Sequence, residues 1–394
     1  MRYVRLMRCF IRDKPAFDRP GGKYRPDVSP GAKIHLSINF LNIALHYSSS
    51  NVKDRQNTNK ITIYDIAQAL GLSASTVSRA LQNNPLINEE TRSKVQELAA
   101  EMNYVPNWIA SSLRKKRSNI IGLIVPRTSM YFQSTAISGI QHEAHKYGFS
   151  IVIGQSDETV AMEKELVHTF FSLRVDGLLA VSSMFTTNFD HFSPFIRNNI
   201  PLVFYDRVPL DFPGYTITGD DFKGGFLATE HLIQQGCKRI AHYAGVLTCN
   251  LYQQRLAGYK AALAKYKIPF DESLVYVHNL TLDAGAEAAR QIFAGGNIPD
   301  GLFAANDSSA VAFIQEAKKK GVKVPEQVKV VGYSNDLSSR IISPSLTTIE
   351  QSGYRMGEKA VETLVQLINK DEKIKVTKNF VFEVELIPRE SSAR

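Results

Sequence analysis

Cysteine and tryptophan are scarce in this sequence, which holds three cysteines and one tryptophan in 394 residues. Cys9, Cys237 and Cys249 match neither a metal-site spacing nor a disulfide framework, so we expect no metal, no cofactor and a reducing, cytoplasmic setting. Long apolar runs are also missing. The most apolar N-terminal stretch, residues 34–47, is too short to span a bilayer and contains polar side chains, which argues against a membrane protein.

Signatures of catalysis and of export are missing as well. We find no Ser-His-Asp order, no clustered metal ligands and no phosphate-binding glycine loop, and we interpret Gly224-Gly225 and Gly295-Gly296 as helix-packing and turn glycines. Arg5, Arg8 and Arg12 interrupt the segment in which a signal peptide would need an apolar core. The sequence therefore favours a protein that is neither an enzyme nor exported.

Positive charge is concentrated towards one end of the chain. Residues 1–59 contain 11 basic and 4 acidic side chains, residues 60–119 contain 8 and 5, and the remainder contains 28 and 29. The whole net charge of +9 is thus accounted for before residue 120. An excess of basic side chains on one part of a protein is typical of an interface with nucleic acid.

Three short helices are predicted after the basic N-terminal region. Apolar residues recur at helical spacing in 62–70, at about 74–81 and in 89–102, with a glycine turn after the first helix. Ser73 and Asn88 are the predicted N-caps of the second and third helices. Two helices joined by a tight turn, followed by a third that closes the bundle, are typical of a helix-turn-helix unit.

The second of these helices is predicted to expose small, hydroxyl-bearing and basic side chains: Ala74, Ser75, Thr76, Ser78 and Arg79. Small residues let a helix backbone approach the floor of a groove, and hydroxyls suit phosphate oxygens. Arg79 can pair with O6 and N7 of a guanine. A solvated polar face on a small helical bundle is the alternative that this helix alone leaves open.

A fourth, shorter helix is predicted from Asn107, as its cap, to Leu113. It is too short to be stable alone in water and therefore needs a partner. The basic run 114–117 follows it directly. A short helix with an exposed leucine and a basic end suits the minor groove, where an apolar side chain can open a base step and bend the duplex. An ordinary flexible linker is the alternative.

Apolar strands alternate with helices from Ile120 onward. Such repeated units predict parallel sheets that are covered by helices, here in two successive halves. The predicted fold class is α/β, with an all-α helix-turn-helix domain followed by a two-lobed body with parallel sheets. A ligand is expected in the cleft at the carboxyl ends of the strands.

Eight side chains near strand ends are candidate ligand contacts: Tyr131, Phe132, Asp206, Phe222, Arg255, Asn306, Ser334 and Asn335. Carboxylate, amide and guanidinium groups that converge on a cleft suit a polyhydroxylated ligand, because each hydroxyl group needs both a donor and an acceptor. Each residue alone also has a structural interpretation. Phe132 can be a core residue, for example, and Asp206 can pair with Arg207.

A set of motifs occurs in a fixed order along residues 60–394: TIYDIAQALGLSASTVSRAL, NEETRSKVQELAAEMNYVPNWIASSLR, IIGLIVP, PLVFYDR, QRLAGYKAAL, LFAANDSSAVAFIQEAKKKGVKVPEQVKVVGYSN, SPSLTTIEQ and LIPRES. This ordered set resembles the LacI/GalR family of bacterial transcription regulators. The resemblance implies a lambda-repressor-like DNA-binding domain and a body of the periplasmic-binding-protein type I fold, whose chain crosses between its lobes three times. The crossings are expected near 218–221, near 347–351 and after about residue 369.

The resemblance also implies roles at the DNA-binding end. Ala74, Ser75 and Arg79 match the family's base-reading positions, while Thr76, Ser78 and Asn88 match phosphate contacts. Residues 107–113 match the hinge helix. There Asn107 caps the helix, Ala110 lies at the close approach of two paired hinges, and Leu113 is the minor-groove wedge.

In the cleft, the resemblance implies that Phe132, Asp206, Phe222, Arg255 and Asn306 line the effector pocket. This chain departs from the family's well-studied sugar and purine responders at Ser334, where they carry an aspartate. We expect Asn335 or Asp336 to substitute for it.

Four segments follow: an unmatched basic extension at 1–59, a DNA-binding domain at 60–106, a hinge helix and linker at 107–118, and an effector-binding and dimerisation domain at 119–394. The first lobe is expected at about 119–218 and 350–370, and the second at about 221–346 and 371–394. For residues 1–59, we favour the interpretation that the start of translation is placed too early. Upstream sequence is then read in frame, and Val52 is the true start. A disordered basic arm and a membrane-attaching segment remain the alternatives.

The expected function is that of a sequence-specific transcriptional regulator, favouring a repressor, which binds a near-palindromic operator in double-stranded DNA as a homodimer. No tetramerising heptad repeat is expected from the closing residues. The expected effector is a sugar or a derivative, with a nucleoside or purine as the alternative. A transporter's solute-binding protein would need an export signal and no helix-turn-helix, which is the reverse of this sequence.

Overall fold

The structure is a computed structural model that describes residues 61–104, 117–209, 212–370 and 377–393. It divides into two compact units, one on each side of the boundary between Pro106 and Asn107. The expectations for residues 1–59 and for the hinge residues Asn107, Ala110 and Leu113 lie outside the described residues.

The smaller unit consists of helices α1 (Ile63–Leu70), α2 (Ala74–Leu81) and α3 (Glu89–Glu101). Thr62 and Asp65 form a capping box at the start of α1, and Gly71 ends that helix in the left-handed conformation that glycine tolerates best. The three helices close on a small core: Ile66, Ala67, Val77, Ala80, Val95 and Ala99. The predicted helix-turn-helix arrangement is therefore present.

The N-caps of α2 and α3 are the two residues that the sequence predicts. The Ser73 hydroxyl accepts a hydrogen bond of 3.1 Å from the amide of Thr76, and the Asn88 side chain accepts one of 2.8 Å from the amide of Thr91. Each bond satisfies an amide that the helix itself leaves without a partner.

Replacing Ser73 with alanine removes the cap of α2, and we expect it to lower the free energy of unfolding of this unit by about 1 kcal/mol. Ser93→Ala is the matched control, because its exposed hydroxyl donates only to Glu97 on the same helix. Urea unfolding of both variants, followed by circular dichroism, measures the difference. Equal midpoints would contradict the capping role.

The larger unit contains two lobes, each built on a parallel sheet. The first lobe has the strand order β11-β5-β4-β3-β1-β2. Its strands are β1 (Ile120–Val125), β2 (Ser150–Gln155), β3 (Gly177–Ala180), β4 (Leu202–Tyr205), β5 (Tyr215–Gly219) and β11 (Asn379–Phe382). Its helices are α4 (Tyr131–Lys146), α5 (Val160–Ser172), α6 (Ser193–Arg197) and α12 (Gly353–Asn369).

The second lobe has the strand order β7-β6-β8-β9, also parallel. Its strands are β6 (Ile240–Ala244), β7 (Val275–Val277), β8 (Gly301–Ala304) and β9 (Lys329–Val331). Its helices are α7 (Asp221–Gln234), α8 (Asn250–Lys265), α9 (Leu282–Ala294), α10 (Asp307–Lys319) and α11 (Leu337–Ile341). A short antiparallel pair, β10 (Thr348–Glu350) with β12 (Glu385–Ile387), completes the body.

Central strands of both sheets are buried on two faces. In β1, Leu123 packs into one apolar cluster and Ile124 into another, and in β8, Leu302 and Phe303 divide in the same way. Because neighbouring side chains of a strand point to opposite faces, each sheet must be covered by helices on both sides. This explains why the sequences of these strands are apolar throughout instead of alternating between apolar and polar residues.

The course of the chain after α12 differs from the sequence-based expectation. That expectation places residues 371–394 in the second lobe, but β11 pairs with β5 at the edge of the first sheet, in parallel register. Phe380 and Phe382 pack against the first lobe's core, and this burial explains the placement. The third crossing therefore falls between Phe382 and Glu385 rather than directly after residue 369, and β12 then joins the second lobe.

Helices α7 and α8 of the second lobe cross at very close range. A Cβ atom added at Gly258 would lie 2.1 Å from the carbonyl oxygen of Phe222, and one added at Gly225 would lie 2.2 Å from that of Arg255. Glycine is therefore required at both positions. The close crossing fixes the first turn of α7 against the middle of α8, where the candidate ligand contacts lie.

Within the described residues, no helix combines the length and the apolar character that crossing a membrane requires.

Candidate functional site

Helix α2 presents a narrower exposed face than the sequence analysis predicts. Ser75 and Arg79 are exposed, one helical turn apart, as expected of base-reading side chains. Ala74, however, packs against the core, and Ser78 is buried with its hydroxyl accepting a bond of 3.4 Å from Gln82. The prediction that Ala74 and Ser78 face away from the core is therefore wrong.

The spacing of the buried residues explains this difference. Positions 74, 77, 78 and 81 form one stripe along a helix, so a core that holds Val77 and Leu81 also takes Ala74 and Ser78. The opposite stripe, at positions 75, 76 and 79, is left for a partner. Its small side chains at the start of the helix keep the backbone accessible.

Thr76, on this exposed face, and Asn88, at the start of α3, are the other two predicted phosphate contacts. Thr76 is half-buried and its hydroxyl shares a hydrogen bond of 2.9 Å with Ser73, while Asn88 is exposed and its side-chain oxygen caps α3. The side-chain nitrogen of Asn88 is not used by the cap and can donate a hydrogen bond to a phosphate. Tyr64 on α1 is 73% exposed, and no sequence pattern indicated it as a candidate.

Two of the effector candidates, Asp206 and Arg255, lie close enough at the junction of the two lobes for the charge of Arg255 to act on Asp206. Asp206 follows β4, and Phe222 lies in the first turn of α7, next to Asp221. The sequence pattern predicts a helix that starts at Arg255 and ends at Tyr266, but helix α8 begins at Asn250, so Arg255 lies well inside the helix. The helix runs past the close crossing with α7, which places Arg255 beside Asp221.

Arg255 and Asp221 form a buried ion pair. The guanidinium Nε donates 2.9 Å to the Asp221 carboxylate, Nη2 lies 2.8 Å from the same oxygen, and Nη1 donates 2.6 Å to the carbonyl of Ala305. The ring of Tyr333 stacks on the guanidinium at 3.5 Å, and its hydroxyl donates 3.2 Å to Asp221. Burial raises the pKa of Asp221, and Arg255 opposes that rise.

Asp206 is a buried carboxylate that lacks such a close partner. It accepts a hydrogen bond of 3.0 Å from Gln133, which is itself held by the hydroxyl of Tyr205. Its backbone is in the left-handed region, with φ of 60°. Burial raises the pKa of Asp206 to about 6; Arg207 and Arg255 lower it, whereas Asp221 raises it further. A buried carboxylate whose charge is only partly balanced by neighbouring positive groups is typical of a functional site.

Arg207, next to Asp206, carries an ion pair of its own. Its Nη1 donates 2.8 and 2.9 Å to the two oxygens of Glu158, and both side chains are buried. Across the lobe junction, Nη2 donates 3.5 Å to the hydroxyl of Tyr252. The Tyr252 ring thus lies between two guanidinium groups, at 5.9 Å from Arg207 and 5.7 Å from Arg255.

Glu158, Asp206, Arg207, Asp221 and Arg255 will be called the cleft charge cluster. Three of these side chains come from the first lobe and two from the second. Direct lobe-to-lobe hydrogen bonds surround it: Thr248 donates 2.8 Å to the carbonyl of Met184, and the amide of Val208 donates 3.2 Å to Asn250. The cluster therefore lies at a junction where the two lobes are hydrogen-bonded to each other.

The segment after β9 is arranged differently from expectation. The Ser334 hydroxyl accepts 3.0 Å from Gln351, at the crossing into α12. The Asn335 side chain is buried, donates to Glu350 and accepts from Arg389 and Ser339. Both ends of the Asn335 amide are thus engaged within the protein.

The other predicted contacts divide between surface and core. Phe132 packs in the first lobe's apolar cluster, while Tyr131 and Phe222 are exposed. Asn306 caps α10 through its oxygen and donates 2.8 Å to the carbonyl of Leu280. Three residues of the site were not predicted from the sequence: Tyr252, Tyr333 and Gln133. Tyr252 precedes the motif QRLAGY by two residues and Tyr333 is the last residue of VVGY, so the motifs themselves were the available signal.

A concavity lies on the second lobe, away from the candidate contacts. This groove of about 420 Å³ is lined by the end of α7 and by residues 266–269, and it contains none of the candidate contacts. Over the described ranges, His, Cys, Asp and Glu side chains nowhere gather in a set of three that could bind a metal ion.

Two family models match the chain. Residues 62–107 match the bacterial regulatory proteins of the lacI family, and residues 229–392 match a periplasmic-binding-protein-like domain. The first match covers the helix-turn-helix unit, and the second covers most of the second lobe and the end of the first.

Curated relatives match along most of their length. The ribose operon repressor of Bacillus subtilis is 32% identical over 309 residues, which is 78% of this chain and 92% of that protein. A transcriptional repressor named PurR from Vibrio atlanticus is 30% identical over 329 residues, covering 83% of this chain and 97% of its own length.

Solved structures show the same architecture. The lac repressor dimer bound to operator and an anti-inducer superimposes with a TM-score of 0.77 at 28% identity, covering 85% of this chain and all of that one. A complex of the regulator CelR with cellobiose gives a TM-score of 0.64 at 27% identity over 84% of this chain and 99% of that one. The helix-turn-helix unit, the two-lobed body and these similarities together show that the chain belongs to the LacI family of bacterial transcription regulators.

Proposed function

We propose that this protein is a transcriptional repressor that binds a near-palindromic operator as a homodimer and is controlled by a small molecule held between its lobes. One observation carries the proposal. Charged side chains from both lobes are buried together at the lobe junction, in a chain whose other unit exposes Ser75 and Arg79 on a helix-turn-helix. A ligand sensor and a base-reading helix are thus joined in one molecule.

On the DNA side, Ser75 and Arg79 are the proposed base-reading residues. Thr76 and Asn88 serve as phosphate contacts, and the exposed ring of Tyr64 on α1 is a further candidate. Arg79 can make the bidentate pair with guanine that is the commonest specific contact in the major groove. Ala74 and Ser78 pack towards the core and fix the helix there.

The hinge segment supplies the link between the two units. We propose that Asn107, Ala110 and Leu113 form a short helix that pairs with its counterpart in the minor groove and bends the duplex. A helix of this length is marginal alone, so its folding depends on the partner and on DNA. This makes it the element whose equilibrium an effector can bias.

Dimerisation is supported by exposed apolar side chains on edge strands. Val152 and Ile153 lie on β2, at one edge of the first sheet, and Val277 lies on β7, at one edge of the second. An edge strand with exposed apolar residues favours association with another surface. We propose that these two edges contribute to the homodimer interface.

The effector is proposed to be a sugar or a derivative, or else a nucleoside or purine, held at Asp206, Arg255, Asn306 and Ser334, with Phe222 at the rim. The relatives act as transcriptional regulators, which supports binding rather than catalysis as the activity. A DNA-binding regulator works in the cytoplasm, where its operator is. A coupling of about 1–3 kcal/mol between the two sites is sufficient to change operator occupancy.

The proposal is tested with a labelled fragment from upstream of the protein's own gene, in a mobility-shift titration with the full chain. We expect this fragment to be retarded at concentrations at least tenfold below those needed for unrelated DNA of equal length. Equal affinity for both fragments at physiological salt would contradict the proposed function. The Lys94→Ala variant, which removes an exposed charge from α3, controls for general electrostatic attraction.

A further inference from the structure

Arg117 is the first described residue after the predicted hinge helix, and it is held by the carboxyl end of α12. Its Nη1 donates 3.1 Å to the side-chain oxygen of Asn369, and its Nη2 donates 3.1 Å to the carbonyl of Ile368. The last carbonyls of a helix lack partners within the helix and carry its partial negative charge, so a guanidinium group suits this position. We propose, on the basis of the proposed function, that Arg117 is a positioning residue that couples α12 to the hinge.

The next two residues are also fixed to the first lobe. The amide and the hydroxyl of Ser118 donate 2.7 and 2.9 Å to one carboxylate oxygen of Asp176, and the amide of Asn119 donates 2.9 Å to the other oxygen. Asp176 lies directly before β3. Arg117, Ser118 and Asn119 will be called the linker anchor. The chain therefore leaves the hinge segment from a point that is bound both to α12 and to the turn before β3.

The other end of α12 lies at a crossing between the lobes. The helix starts at Gly353, two residues after Gln351, whose side chain donates 3.0 Å to the hydroxyl of Ser334 in the second lobe. With 17 residues and a rise of 1.5 Å per residue, α12 is about 25 Å long. One continuous helix thus runs from the lobe crossing to the linker anchor.

Helix α12 is packed backbone to backbone against α4. A Cβ atom added at Gly139 would lie 2.1 Å from the carbonyl oxygen of Tyr354, and one added at Gly357 would lie 2.2 Å from that of Ala136. A contact this close leaves no room for side chains between the two helices, so they move as one body. Helix α4 also carries Gln133, which donates 3.0 Å into the cleft charge cluster. A displacement at the cleft is therefore passed along α4 and α12 to the linker anchor.

Arg117 holds this position without being part of the core. Its side chain is exposed, and its two partners are neutral oxygens. Substitutions at exposed positions usually change stability little. We expect Arg117→Gln to lower the melting midpoint of the full chain by no more than about 4 °C. A larger fall would make Arg117 a structural residue and would overturn the proposal.

The contact with α12 is tested without DNA by limited trypsin digestion of the full chain. Trypsin cleaves after Arg117 only when this side chain has left α12 and entered the protease. Asn369→Ala removes one partner and should speed this cleavage about fivefold, the equivalent of one ordinary hydrogen bond. The mass of the fragment that starts at Ser118 identifies the bond. Asn198→Ala, at the end of α6, is the matched control and should leave the rate unchanged. Equal rates for Asn369→Ala and the control would overturn the contact.

The coupling is tested with a double-mutant cycle on the labelled fragment from upstream of the protein's own gene. Gln351→Ala releases the lobe crossing at the start of α12 and should change the dissociation constant of the fragment about 2- to 30-fold. In the Arg117→Gln background, the same change should have an effect below about twofold, whereas distant sites without coupling give additive effects. Arg174→Gln, which removes an exposed charge near Asp176, is the control background. There Gln351→Ala should keep its full effect.

The outcomes separate this inference from the proposed function. If the parent prefers its own fragment and Gln351→Ala acts equally in all backgrounds, the role of Arg117 is overturned and the proposed function stands. If Gln351→Ala has no effect in the parent, α12 carries no signal, which overturns the inference in the same way. If the parent binds its own fragment no better than unrelated DNA, both are overturned.

Discussion

Replacing Arg255 with alanine is expected to lower the free energy of unfolding of the full chain by about 3–5 kcal/mol. Both partners of the Asp221–Arg255 pair are buried, so the variant leaves an uncompensated carboxylate inside the second lobe. The loss also removes the group that fixes Tyr252 and Tyr333 around the cleft. Urea unfolding measures the stability, and an operator titration with the effector measures the response, which we expect to be lost.

Lys265→Ala is the matched control for this prediction. Lys265 lies on the same helix and pairs with Glu230 at 2.7 Å, but its side chain is 56% exposed, so its loss should cost at most about 1 kcal/mol. The double variant Asp221→Asn/Arg255→Ala should recover much of the stability because it removes the unpaired charge. Similar losses for Arg255→Ala and Lys265→Ala would contradict the account of the buried pair.

The sign of the pH effect gives a further check. Without Arg255, the pKa of Asp221 rises above its already raised value, so the folded variant holds a proton that the unfolded chain has released. Stability then falls as the pH rises, since the folded state binds more protons than the unfolded state. The stability deficit of Arg255→Ala should therefore be smaller at pH 5 than at pH 8.

Replacing Arg79 with alanine should cost about 1–3 kcal/mol of discrimination at one base pair of the operator. The side chain is exposed on the stripe of α2 that is left free by the core, one turn from Ser75. Competition titrations with single-base operator variants measure the effect. Preference should be lost at the position that Arg79 contacts and kept at the others.

The control for Arg79→Ala is a substitution that removes a positive charge without removing a base contact. Lys94→Ala removes one positive charge from α3 and should weaken binding to every sequence about equally. If Arg79→Ala behaved in the same way, its side chain would contact phosphate and not a base.

Local patterns predicted the helix-turn-helix because its determinants act over a few residues. Ser73 caps α2, Asn88 caps α3, and Gly71 ends α1. The same patterns could not show which polar residue of α2 faces the core. That depends on the angular position of Ser78 next to Val77, and small hydroxyl residues are tolerated on either face.

The sequence predicted some members of the cleft charge cluster but none of its ion pairs. Asp206 and Arg255 were candidates from their position near strand ends, but the partner of Arg255 is Asp221, 34 residues away in sequence. Tyr252 contacts Arg207 across the lobe junction, 45 residues away. Such contacts depend on how the two sheets are brought together, and local sequence patterns do not indicate that arrangement. The placement of β11 in the first sheet is another such long-range pairing.

The central claim is that a ligand between the lobes changes the affinity of the protein for its operator. It is tested by fluorescence anisotropy titrations of the operator fragment with the full chain, in the absence and in the saturating presence of a sugar that raises its melting midpoint. We predict that the dissociation constant changes about 5- to 150-fold, in one direction or the other. An unchanged dissociation constant with the cleft fully occupied would contradict the account.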